Sequence, residues 1–331
     1  MELIENEYSN ITGIVVVENN KIAYENYFQE YNQKDTIHIA SVTKSIVSIL
    51  IGIAIDKGFI NGIEQNVLDF FPEYKIKRGE KTIQKVTLRH LLTMTAPYKY
   101  KYEPYTKVYS SEDWTKATLD LLGGKTISGN FKYTTIGIQI LSGVIVTATG
   151  KSVLDFATEN LFRPLGIKEP NNQRIQSKEE HFSFLKDKHV TGWVIDPKGV
   201  NTAGWGLTLT TRDIGKIGQL YLNKGMWNNT QIVSSRWIEE STKKQSQWGK
   251  LSYGYMWWVI NEEKNNSFAA IGDGGNIIYV SPKDKIVIAI TSHFKPRAKD
   301  RIDLINKKIS PYLRRKKNLY KRPDSYTNPK N

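Results

Sequence analysis

Apolar segments of β-type stand at both ends of this chain, and helical patterns fill the sequence between them. Near the start, Ile14-Val15-Val16-Val17 and Ile22-Ala23-Tyr24 flank Glu18-Asn19-Asn20-Lys21, the layout of a β-hairpin. Late in the chain, Tyr253–Ile260, Ser267–Ile271, Ile277–Val280 and Ile286–Thr291 are rich in β-branched and aromatic residues. The last pair is parted by a Ser281-Pro282-Lys283-Asp284 turn. Helical periodicity runs over Val86–Leu92, Asp113–Leu122, Ile136–Thr149, Leu154–Leu161, Thr211–Asn223, Ser235–Lys243 and Arg301–Leu313. This order predicts an α+β fold whose sheet is built from both chain ends and flanked by helices. Residues 1–60 and 191–313 form the sheet region, 61–190 a mainly helical region, and 314–331 a basic tail.

One helix carries chemistry at its start. Ile46, Val47, Ile49, Leu50, Ile51, Ile53, Ala54 and Ile55 read as a buried helix ended by Gly58. It is preceded by Ser41-Val42-Thr43-Lys44. A Ser and a Lys three apart share a helix face, and helical side chains lean toward the N-terminus, which carries Lys44 back toward Ser41. A serine hydroxyl needs an adjacent base to become a nucleophile, and a lysine in apolar surroundings can be that base, because burial disfavours its charged form. Ser-x-x-Lys also occurs at Ser183/Lys186, Ser241/Lys244 and Ser292/Lys295, but only the first copy leads into a buried helix. The bland alternative is a serine that caps the helix, followed by a solvated lysine.

At 331 residues the chain suits one large domain or two intimately packed ones, and 39% hydrophobic content with 8 Trp excludes a disordered chain. No apolar run reaches the roughly 20 residues of a membrane span. The start, Met1-Glu2-Leu3-Ile4-Glu5, lacks a signal-peptide layout, which predicts a cytoplasmic protein if the chain is full length and an extracytoplasmic one if a signal was removed. With no cysteine there is neither a disulfide nor cysteine catalysis. Of the net charge of +14, +6 lies from Arg314 onward, with seven basic residues against Asp324. That tail reads first as solvated and second as a contact for an anionic partner such as a wall polymer. No zinc-finger, RNP or P-loop pattern points to specific nucleic-acid binding.

An ordered set of segments carries a family resemblance. It comprises His38-Ile39-Ala40-Ser41-Val42-Thr43-Lys44, Leu88–Thr95 and Phe131-Lys132-Tyr133-Thr134-Thr135. It continues with Ala203-Gly204-Trp205-Gly206-Leu207, Tyr253-Gly254-Tyr255-Met256-Trp257-Trp258 and Gly272-Asp273-Gly274-Gly275-Asn276. Over about residues 10–310 the chain resembles the serine β-lactamase and penicillin-binding protein superfamily, in its class C-type branch, which includes esterases and 6-aminohexanoate-dimer hydrolases. The resemblance implies a β-lactamase/transpeptidase-like fold and an acyl-enzyme mechanism. Ser41 would be the nucleophile, Lys44 would help remove its proton, and Tyr133 would act as base and then as acid, with nearby Lys44 favouring its phenolate.

Two departures bear on substrate. Thr135 stands where the family usually has Asn, and a hydroxyl replaces only part of an amide. The third family motif has no Lys or His here. It reads either as Ala270-Ile271-Gly272 followed by Asp273, the preferred register, or as Gly272-Asp273-Gly274 followed by Gly275. In the first, the Asp273 backbone N–H joins that of Ser41 in an oxyanion hole. The missing cation shifts the expectation from β-lactams toward an ester or amide, small-molecule or peptide. Trp205, between two glycines, is read as lining the cleft. The tyrosine-rich segment Pro97–Tyr109 is either packed locally or one wall of that cleft. His38, His90, His181, His189 and His293 show no metal spacing, and no metal or cofactor is expected. The expected function is a serine hydrolase; the alternative is a penicillin-recognising or wall-polymer-binding protein with little turnover.

Overall fold

A computed structural model describes residues 2–124, 126–187, 191–261 and 266–313. The basic tail 314–331 and His189 lie outside the described residues. One eight-stranded sheet organises the fold. In chain order its strands are β1 (Ile11–Glu18), β2 (Lys21–Tyr27), β3 (Ser246–Trp248), β4 (Leu251–Tyr253), β5 (Trp258–Asn261), β6 (Ser267–Gly272), β7 (Asn276–Ser281) and β8 (Ile286–Ser292). Their spatial order is β2-β1-β8-β7-β6-β5-β4-β3, antiparallel throughout. The two chain ends meet where β1 pairs with β8, Ile14 opposite Ile290 and Val17 opposite Val287.

The unbroken apolar runs of the central strands follow from burial on both faces. Val15, Val17, Ala270, Ile278, Val287 and Ala289 join the main core, beside the helices Val42–Asp56 and Thr211–Leu222. Their neighbours Ile14, Val16, Ile277, Ile288 and Ile290 face the opposite way, against Tyr8, Leu304, Ile305 and Leu313. The final helical stretch therefore covers the outer face, running from Arg301–Leu304 through a π-helical turn, Ile305–Ile309. The helix Val42–Asp56 is buried from Val42 to Ala54, packed between the sheet and the helix Gln139–Thr149. Among the described residues no single helix is long and apolar enough to cross a membrane.

One expected strand is corrected. Tyr253–Ile260 is not continuous: β4 ends at Tyr253, the chain reverses through 254–257, and Trp258 pairs back onto Tyr253. The reversal needs special backbone, with Met256 at φ 63° and Gly254 so close to the helix Ser235–Thr242 that a Cβ would lie 2.0 Å from the Ser241 carbonyl oxygen. Two serines of the buried helix hold the loop, Ser45 donating to Met256 O (2.6 Å) and Ser48 to Tyr255 O (2.7 Å). Helix ends elsewhere are set by caps: Asp113 accepts from Lys116 N and starts Trp114–Leu119, and Thr210 with Asp213 forms a capping box before Thr211.

Candidate active site

A strained turn presents Ser41. The short strand Thr36–His38 pairs with Thr208–Thr210, and Ile39 N extends the contact to Leu207 O (3.0 Å). Ala40 then adopts φ 49°, a left-handed conformation that costs a side-chain-bearing residue about 1–3 kcal/mol and persists only where its surroundings enforce it. Thr43 helps by donating its hydroxyl to Ala40 O (2.7 Å). Ser41 follows at φ −69°, at the first turn of the buried helix. Its side chain makes no capping bond, which removes the helix-cap alternative. The hydroxyl instead accepts from Lys44 Nζ at 2.8 Å.

Lys44 is 1% exposed, and its ammonium donates to three neutral acceptors: Ser41 Oγ, Gly204 O (2.8 Å) and Thr135 Oγ1 (3.3 Å). Burial without a bonded carboxylate outweighs the attraction of Glu103 and Asp273 and lowers its pKa to about 7. At neutral pH the amine is thus available in both forms. When neutral it keeps two N–H groups for Gly204 and Thr135 and turns its lone pair toward the Ser41 O–H.

Tyr133 lies across the site. Lys44 Nζ sits 5.0 Å from its ring centroid, and the ring stacks on Trp258 with centroids 6.0 Å apart. Burial pushes the phenol well above its ordinary range, and its hydrogen bond with Ser41 offsets this only in part. Tyr133 is 37% exposed, so burial alone does not fix its protonation; Lys44, almost fully buried and with its pKa lowered to about 7, is a candidate base beside it.

Glu103 was missed by sequence reasoning. Its carboxylate accepts from Thr134 Oγ1 (2.5 Å), Thr135 N (2.7 Å), Ile136 N (2.9 Å) and Tyr105 OH (2.5 Å). It thereby fixes the segment carrying Tyr133 and Thr135 to the tyrosine-rich loop. The available signal was composition: Glu103 is the one acid in Pro97–Tyr109. Glu103→Ala should lower stability by about 1–3 kcal/mol by leaving these donors unpaired, and should lower ester turnover about tenfold or more. Glu103→Gln, which keeps one acceptor, should fall between; melting curves and initial rates check the order.

Strand β6 closes the site. At Gly272 a Cβ would lie 2.5 Å from Ile39 O and 3.1 Å from Ser41 N, so a side chain there would push the strand off the nucleophile turn. A tight turn, Asp273–Gly275, follows, and Asn276 ties it down by donating to Asp273 O (3.0 Å) and His38 O (3.4 Å). The adjoining cleft of about 490 Å³ is lined by Ser41, Thr135, Tyr105, Tyr109, Trp205 and Asp273, among others. Trp205 faces this cleft, held by its Nε1–H to Tyr109 OH (2.9 Å) and stacked on His181 at 5.1 Å. The tyrosine-rich loop is both packed and a wall: Tyr98 stacks on Tyr100 behind, while Tyr105 and Tyr109 face the cavity. His38 is half-buried at the cleft wall, accepts from Gly206 N (3.0 Å) at Nε2, and has a pKa lowered by desolvation to about 3, which favours its neutral form. Of the other Ser-x-x-Lys copies, Ser241 and Ser292 are buried and bond to carbonyls, at Ile238 O (3.1 Å) and Gly275 O (3.4 Å). Among the described residues no group of three or more potential ligands could hold a metal ion.

Comparison with known proteins agrees with this geometry. The family model described as Beta-lactamase matches residues 6–308. The chain is 22% identical over 307 residues to the 6-aminohexanoate-dimer hydrolase of Paenarthrobacter ureafaciens, covering 85% of this chain and 72% of that one. It is 24% identical over 284 residues to the Beta-lactamase-like protein 4 of Dictyostelium discoideum, covering 74% and 48%. The fold is shared with a penicillin-binding protein homologue from Pyrococcus abyssi, with a TM-score of 0.69, 20% identity, and 94% and 75% of the two chains covered. A match running almost end to end, with a sheet closed by both termini, shows that this chain belongs to the Beta-lactamase family, within the superfamily of serine β-lactamases and penicillin-binding proteins.

Proposed function

We propose that this chain is a serine hydrolase that forms an acyl-enzyme at Ser41 and acts on an ester or amide. The observation that carries the reading is the 2.8 Å contact between Ser41 Oγ and a buried Lys44 whose pKa is lowered to about 7. Neutral Lys44 takes the Ser41 proton as the oxygen attacks the carbonyl carbon. The oxyanion would be held by the backbone N–H groups of Ser41 and Asp273, a reading supported by the close approach of Gly272 to the Ser41 turn, where a Cβ would lie 3.1 Å from Ser41 N. Protonated Tyr133 then gives its proton to the leaving alcohol or amine, and Lys44 restores it. Water repeats the sequence on the acyl-enzyme.

Two features favour an ester or amide over a β-lactam. No Lys or His stands in the third motif, and Thr135 reaches Lys44 only at 3.3 Å. A charge-assisted hydrogen bond contributes about 1.5–3 kcal/mol, so its loss weakens carboxylate binding roughly tenfold to over a hundredfold. Short-chain nitrophenyl esters should be hydrolysed with an initial burst, faster than benzylpenicillin. Intact-mass analysis after a fluorophosphonate should show one adduct, on the peptide containing Ser41. Efficient penicillin hydrolysis beside slow ester turnover would reverse the assignment. A stable penicilloyl adduct without ester turnover would instead establish the penicillin-recognising reading.

A further inference from the structure

We propose that the cleft beside Ser41 selects a substrate group bearing a cationic nitrogen and rejects a carboxylate there, with Asp273 and the aromatic rings of the lining as the specificity determinants. The inference rests on the hydrolase reading above and specifies its substrate class. Asp273 is exposed and lines the cleft, and among the described residues no ion pair or side-chain hydrogen bond engages its carboxylate. The two imidazoles lining the cavity, His38 and His181, both have lowered pKa values through desolvation, which favours their neutral forms. Among the described lining residues Asp273 is the one carboxylate, and no Lys or Arg stands beside it there.

The nearby cations cannot serve a substrate carboxylate. Lys44 directs its three N–H groups at Ser41, Thr135 and Gly204. Arg301 lies behind the Asp273–Gly275 turn, 3% exposed, and donates to Asn10 Oδ1 (2.8 Å), Lys299 O (2.8 Å), Gly274 O (3.3 Å) and Ser292 Oγ (3.3 Å). Much of the remaining lining is aromatic. Tyr105 is 47% and Phe294 50% exposed, and Trp205 is locked by Tyr109 and His181. Ring faces attract cations and give carboxylates no donor in return. A negative charge and electron-rich rings in one lining suit an ammonium or quaternary nitrogen, and among the described residues no lining cation would pair with a carboxylate.

The test compares isosteric substrates that differ only in charge. In one arm the charge is on the acyl chain: the nitrophenyl esters of 6-(trimethylammonio)hexanoate and of its carbon isostere 7,7-dimethyloctanoate, and the nitrophenyl mono-ester of pimelate. In the other it is on the leaving group: acetylthiocholine against its neutral carbon analogue, 3,3-dimethylbutyl thioacetate. In at least one arm kcat/KM should be about tenfold higher for the cation than for the neutral compound, and lowest for the anion where one is present, with the preference shrinking at high salt. Asp273→Asn should bring the cation-to-neutral ratio close to one, and Asp273→Lys should invert it. Each ratio is taken within one enzyme, so a general loss of rate in either variant does not affect the reading. Equal or lower rates for the cation in both arms, with the neutral esters still hydrolysed, would overturn the inference and leave the hydrolase assignment standing. Hydrolysis of no compound would instead overturn the hydrolase assignment. The same charge series on phosphonates, read as rates of Ser41 labelling, then decides the charge preference by itself.

Discussion

Lys44→Met should lower ester turnover by ~10²–10⁴ and at the same time raise the melting temperature. The two effects have one cause. In the folded protein the pKa of Lys44 is lowered to about 7, against 10.5 for the ordinary side chain. Below about pH 7 the lysine is charged in both states, and the full penalty of burying that charge acts against folding. As pH rises from 7 toward 10.5, the folded state has already given up a proton that the unfolded chain still holds, so stability increases with pH. The methionine variant lacks this dependence. It should therefore be the more stable protein at pH 6–7, by about 1–4 kcal/mol, with the gap narrowing by pH 9–10. The gain is reduced because Gly204 O loses its donor. Denaturant melts at several pH values check the sign; a methionine variant that melts lower at pH 6 would show that the lysine is not buried as a charge. Tyr133→Phe should cost activity in the same range, and the double variant little more, because the pair moves one proton between them.

Ser41→Ala should abolish both ester turnover and labelling by an active-site phosphonate. Ser183, Ser241 and Ser292 offer no substitute: two are buried with their hydroxyls bonded to carbonyls, and none stands at a left-handed turn before a buried lysine. Ser41 makes no capping bond but accepts from buried Lys44, so the alanine variant should lose about 1–3 kcal/mol and still fold, separating loss of chemistry from loss of fold. Undiminished labelling would remove Ser41 from the mechanism.

Much of the sheet was legible in the sequence because its strands are buried on both faces and so appear as unbroken apolar runs; Ile14–Val17 and Ile286–Thr291 are the clearest. The reversal at Gly254–Trp257 was hidden, since an apolar, aromatic run reads as strand whether or not it bends. Only the carbonyl of Ser241 and the hydroxyls of Ser45 and Ser48 decide the matter, and all three are distant in sequence. In the site, Ser41 and Lys44 were legible because helix geometry alone brings residues three apart together. The lowered pKa of Lys44 was only partly legible, because how completely a side chain is buried is a property of the whole fold. Glu103 left only its composition as a trace; its bonds reach about 30 residues along the chain.

The pairing of β1 with β8 also sets a timetable for the folding of the chain. Glu18 waits for Ile286, about 270 residues later, before its strand has both neighbours. At typical synthesis rates of about 5–20 residues per second, that interval is roughly 15–55 s. Throughout it the nascent chain carries Ile14–Val17 and the apolar helix behind Ser41 with no sheet to cover them. Such long-range closure folds slowly and exposes sticky surface, which makes the growing polypeptide a natural client for chaperones. The burial that lowers the Lys44 pKa likewise depends on distant segments, because Thr135 and Gly204 must pack against the helix start before its ammonium finds their oxygens.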